Sequence, residues 1–116
     1  MKYGVLALAL VVGPAVHAAP EWAGKWAFDP AWCSNTSATT DAVPVFFTDT
    51  EVQGYESTCD VISYDPLAVK GGYQLSLSCS AEGDFYEEDM LVLMGDANTL
   101  FVYRDGPFMT KYTKCE

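Results

Sequence analysis

The sequence predicts an all-β domain: a small antiparallel barrel or sandwich of about eight strands, stapled by two disulfides. Three observations carry this expectation. The segment Tyr73-Gln74-Leu75-Ser76-Leu77-Ser78-Cys79 alternates apolar and polar residues without a break, the period-2 signature of a half-buried strand. Short apolar segments recur along the chain with turn-forming residues between them. The four cysteines, Cys33, Cys59, Cys79 and Cys115, are an even number, as a disulfide-stapled exported domain requires.

In chain order, Lys25–Phe28 reads as the first strand. It ends at Asp29-Pro30, because proline lacks the N–H that a ladder needs. Ser34–Ala42, rich in Ser, Thr, Asn and Asp, is a polar loop. Val43–Phe47 and Glu51–Tyr55 flank a turn at Thr48-Asp49-Thr50, and Thr58–Tyr64 runs up to the breaker Asp65-Pro66. Gly71-Gly72 opens the strand Tyr73–Cys79, which points Tyr73, Leu75, Leu77 and Cys79 inward and Gln74, Ser76 and Ser78 to water. Glu82-Gly83-Asp84 is a hairpin turn into Phe85–Met94, and Gly95-Asp96-Ala97-Asn98 separates that strand from Thr99–Tyr103. Asp105-Gly106 is a tight-hairpin signal leading into Phe108–Lys114. Helical signals are thin. Pro66–Lys70 and Glu87–Leu93 offer a turn or two, and the second sits among β-branched and aromatic neighbours.

Residues 1–18 have the form of a secretory signal peptide, leaving residues 19–116 as a single β domain. Met1-Lys2 supplies a positive start, Gly4–Val12 a short apolar run, and Val16-His17-Ala18 small residues at the −3 and −1 positions of a cleavage site. The apolar run is roughly half the length of a membrane-spanning helix. No cysteine precedes Cys33 to carry a lipid. A soluble periplasmic or secreted monomer without membrane insertion is therefore expected. The one histidine, His17, leaves with the leader, and with it the commonest general base and metal ligand.

Residues 19–116 carry five basic side chains against 16 acidic ones, a formal charge of −11. Such a surface repels nucleic acid, whose binding relies on Lys and Arg displacing counterions. It attracts and steers a basic protein instead. A domain this small buries only about 60–65% of its unfolded surface, so cross-links are a needed supplement to its core. Zinc is disfavoured, because the cysteines form no CxxC-like pairs and no histidine remains to join them.

Four cysteines allow three pairings. A hairpin folded around residue 69 sets Cys59 opposite Cys79, both inward, and leaves Cys33 with Cys115. Against this, a strict up-and-down barrel places Cys33 and Cys115 at opposite ends, so Cys33–Cys59 with Cys79–Cys115 stays open.

The densest charge is Glu82-Gly83-Asp84-Phe85-Tyr86-Glu87-Glu88-Asp89. It lacks the spaced Asp-x-Asp-x-Asn-Gly pattern of a calcium loop, so neither metal nor cofactor is expected. It reads as a hairpin turn followed by a solvated strand face, with Glu82, Asp84, Glu87, Glu88 and Asp89 as candidate contacts for a basic partner. Catalysis is not expected. No Ser-x-x-Lys or Gly-x-Ser-x-Gly motif occurs, the cysteines are consumed by disulfides, and so small a barrel has little room for a carboxylate-lined cleft. Asn35-Thr36-Ser37 matches the N-glycosylation acceptor pattern within the polar loop. Of Trp22, Trp26 and Trp32, Trp26 is expected to plug one end of the core, and the alternative is a ligand-lined barrel mouth.

Gly24-Lys25-Trp26 at the head of an exported barrel resembles the opening of lipocalin-like and avidin-like proteins and of small periplasmic barrel inhibitors of metalloproteases. A longer pattern resembles a group of small exported bacterial proteins of unknown function. It comprises an early tryptophan and then a cysteine, Tyr55-Glu56-Ser57-x-Cys59, Cys79-x-x-Glu82-Gly83, and Tyr112-x-x-Cys115. That resemblance implies a bacterial, periplasmic setting. In size, disulfides and acidity the chain is also similar to periplasmic inhibitors of animal-type lysozyme, without a copy of their inhibitory loop. The expected role is thus a binding or inhibitor module whose acidic surface docks a basic protein such as a lysozyme. A small-ligand carrier and an envelope protein with no discrete ligand are the alternatives.

Overall fold

A computed structural model describes residues 19–116; the expected signal peptide and His17 lie outside the described residues. Of the two architectures the sequence allows, the barrel forms. Its strands are β1 (Gly24–Ala27), β2 (Val45–Phe47), β3 (Glu51–Gly54), β4 (Ser57–Pro66), β5 (Gly72–Ala81), β6 (Asp84–Asp96), β7 (Thr99–Tyr103) and β8 (Thr110–Lys114). Each pairs antiparallel with the next in sequence, and β8 pairs back onto β1 to close the ring. Among the described residues the helical content is one 3-10 turn, Pro30–Trp32, whose first amide (Ala31 N–H) is capped by Asp29 Oδ1 at 2.9 Å.

Strand alternation decides what fills the interior. Leu75, Leu77 and Cys79 of β5 are buried, and their β4 and β6 neighbours Cys59, Met90 and Val92 meet them inside. Trp26, Phe47, Val52, Leu100 and Val102 complete the core. The plug is larger than Trp26 alone. Trp22, ahead of β1, is also fully buried, and Trp26 Nε1 donates to its carbonyl oxygen at 3.1 Å. The Trp22 ring meets Tyr64 edge-on at 5.2 Å and Tyr73 at 6.3 Å, so aromatic rings close that end of the barrel.

Two local expectations are corrected. Asp65-Pro66 does not break β4, because Pro66, as its last residue, still pairs with Tyr73. Residues 67–71, where the helical signal is thin, form a turn closed by Leu67 N–H to Gly72 O at 2.9 Å. Asp105-Gly106 makes no tight hairpin: residues 104–109 form a wider loop, β8 starts at Thr110, and Phe108 is left 80% exposed.

Both disulfides follow the first pairing considered. Cys59 and Cys79 are register partners on β4 and β5, with Cα atoms 3.9 Å apart. Cys33 bonds Cys115 across 5.6 Å between Cα atoms. The objection that these two lie at opposite ends fails for two reasons. β1 is only four residues long, and the 3-10 turn after Asp29 redirects the chain toward the strand end, where Cys115 N–H donates to Lys25 O at 2.8 Å. Two disulfides assign the domain to an oxidising, extracytoplasmic environment. Among the described residues, no helix is long and apolar enough to cross a membrane.

Candidate functional site

The acidic hairpin is built on a two-residue turn. Glu82 and Gly83 both adopt positive φ, 52° and 86°, the backbone of a type I′ turn that matches the twist of the strands it joins. Gly83 bears this at no steric cost, whereas Glu82 holds a conformation that side chains disfavour. The turn fixes the register of β6 on β5, so Ser76 faces Asp89, Ser78 faces Glu87 and Ser80 faces Phe85 on the outer surface.

Period 2 then splits the candidate acids. Asp89 and Glu87 stand on the outer face, where Ser76 Oγ donates to Asp89 Oδ1 at 3.5 Å. Glu88 is opposite buried Leu77 and points to the inner side, two residues from buried Met90. It therefore departs from the solvated face expected of it, and its side chain is only 19% exposed. Asp84 begins β6 and Glu82 occupies the turn, both exposed. The structure brings the five acids onto one hairpin but leaves four of them outward or at its tip.

An inward carboxylate needs a partner, and Arg104 supplies it from the end of β7. Arg104 Nε and Nη2 donate to Glu88 Oε2 and Oε1 at 2.8 and 2.7 Å, a bidentate pair. These bonds hold the guanidinium above its ordinary pKa, against the opposing effect of partial burial. The pair sits at the barrel mouth, where Arg104, Tyr112, Met90, Val102 and Cys59 line a cavity of about 40 Å³. That is the space of roughly one water molecule. Burial raises the Tyr112 hydroxyl above the usual phenol pKa, with Arg104 opposing the shift.

Larger spaces lie outside the barrel. An open groove of about 440 Å³ is lined by Tyr86, Glu87, Glu88, Asp89, Arg104 and Asp105. A second, of about 570 Å³, lies between the polar loop at Asn35–Ser37 and the outer residues Phe46, Gln53 and Thr58. There Asn35 spends its side-chain amide on Ala42 O at 2.8 Å. Among the described residues, no group of three His, Cys, Asp or Glu side chains is arranged to hold a metal ion.

Arg104 escaped the sequence reading because it is distant along the chain from the hairpin it neutralises. The inward turn of Glu88 had a signal: extending the phase of Met90 and Val92 backwards by two places Glu88, and then Tyr86, on the inner side. No protein family, curated protein or solved structure matches the chain.

Proposed function

We propose that this domain is an exported, periplasmic, non-enzymatic docking or inhibitor module whose acidic outer surface binds a basic protein, a lysozyme being the test case. The observation that carries the reading is a filled interior beneath an uncompensated acidic exterior. The void at the barrel mouth, lined by Cys59, Met90, Val102, Arg104 and Tyr112, is about 40 Å³, far below the several hundred Å³ of a small-molecule site. Residues 19–116 hold 16 acidic side chains against five basic ones, and among the described residues one ion pair forms, between Arg104 and the inward Glu88. Excess negative charge on a rigid, cross-linked surface accelerates encounter with a basic partner and sets its orientation.

The experiment is a binding and activity assay with lysozyme at low and at high salt. Binding or inhibition is expected at low ionic strength. It should weaken steeply as the Debye length shrinks from ~30 Å at 0.01 M salt to ~8 Å at 0.15 M. Absence of binding to lysozyme and to other basic exported proteins at low salt would refute the proposal.

A further inference from the structure

The barrel is closed, yet its strands overhang. β6 pairs with β5 from Asp84 through Leu93, but with β7 only from Leu91 to Asp96. Over Asp84–Met90 the second edge of β6 has no ladder partner. Among the described residues, no backbone hydrogen bond from another segment reaches it. In an antiparallel ladder, alternate residues turn their N–H and C=O groups to opposite sides. Half of the groups in this stretch therefore point away from β5, toward the space that β7 would occupy if it were longer. The groove of about 440 Å³ bounded by Tyr86–Asp89 and Arg104-Asp105 lies along this side.

Proteins blunt such edges with short strands, proline, bulges or charge. Here the free stretch Asp84-Phe85-Tyr86-Glu87-Glu88-Asp89-Met90 contains no proline or glycine, and its register with β5 is unbroken. Only charge guards it: the stretch itself carries four carboxylates and no cation, and the one neighbouring cation in the groove, Arg104, is held by Glu88, which leaves Asp84, Glu87 and Asp89 uncompensated. Carboxylates on this edge repel a second copy of itself and favour an incoming strand of opposite sign. Phe85, 84% exposed on the outer face, and Tyr86, 40% exposed, add apolar area beside the unpaired backbone.

We propose that the free edge of β6, Asp84–Met90, takes up an extended basic segment of a partner protein as an added strand; this mode of binding rests on the docking role proposed above. Main-chain hydrogen bonds would supply affinity, and Glu87 and Asp89 would select Lys or Arg at alternate positions of the incoming strand.

The test uses a short peptide of alternating lysine and threonine, titrated into the protein at low salt while backbone amide signals and exchange rates are followed. The expected result is saturable binding with protection of amides within Asp84–Met90. Binding should be lost when every peptide amide is N-methylated, which keeps the charges and removes the donors. It should also be lost in the Glu87→Gln, Asp89→Asn variant, whose exposed substitutions leave the fold intact. Equal binding of the N-methylated peptide would overturn strand addition while leaving charge-driven docking standing. So would failure of the parent peptide to bind a protein that still binds lysozyme. Amides of Asp84–Met90 already protected in the free protein, and released on dilution, would show a second copy as the occupant and overturn the proposal.

Discussion

Reduction of the two disulfides should remove most of the stability of this domain, and the amount can be worked from where the bridges fall. Cys33–Cys115 closes a separation of 82 residues and Cys59–Cys79 one of 20. With loop-closure entropy as the source, these loops correspond to about 4.5 and about 3.3 kcal/mol. Their total, about 8 kcal/mol, falls within the roughly 5–15 kcal/mol by which native domains are stable. The fully reduced chain should therefore lose about half or more of its stability at room temperature. Urea unfolding followed by tryptophan fluorescence reads this directly, because Trp22 and Trp26 are fully buried when the barrel is intact. The longer bridge can be isolated as the Cys33→Ala, Cys115→Ala variant. The shorter is better probed by reduction, since Cys59 and Cys79 are core residues and truncating them also opens a void. A reduced protein whose urea midpoint stays at the oxidised value would refute the reasoning. A loss below about 1 kcal/mol in the Cys33→Ala, Cys115→Ala variant would do the same for the longer loop.

Leu77→Asp should prevent folding: Leu77 is 1% exposed at the centre of β5, and an unpaired carboxylate there costs more than about 4 kcal/mol; circular dichroism of the purified variant checks it. Glu82→Asn should raise stability by about 0.5 kcal/mol or more, because asparagine tolerates the positive φ of this turn better than glutamate. Thermal unfolding of the single variant reads that change. Tyr112→Phe should leave stability at neutral pH almost unchanged and flatten its fall at high pH. The folded-state pKa of Tyr112 is raised above the unfolded value of 10.0, so its contribution is complete below that pH and is lost as pH climbs through the folded value. A variant with the same alkaline fall as the parent would show that Tyr112 is not the responsible group.

Much of the fold was legible because a barrel is written in local signals. The alternation of Tyr73–Cys79 predicts which side chains face inward, and the buried Leu75, Leu77 and Cys79 agree with it. Once that phase is known, a hairpin centred near residue 69 brings Cys59 opposite Cys79, which is the register found. Glu82-Gly83 was legible as a turn from glycine's backbone freedom. The misjudged ends have a common origin. Asp65-Pro66 and Asp105-Gly106 carry strong turn propensities, but neighbouring strands decided whether those residues paired, and propensity along the chain contains no term for a neighbour.

The candidate site divides along the same line. By itself the sequence determined the period of the strands, the number of cross-links, the excess of acid and its concentration after Gly83, because these are properties of adjacent residues and of totals. Tertiary structure alone decided that β1 meets β8, that Arg104 neutralises Glu88, and that Asp84–Met90 keeps an unpaired edge, and it chose Cys33–Cys115 from the two pairings left open. Each of these is a meeting between segments far apart in the chain, set by where closing the ring leaves one strand longer than its neighbour.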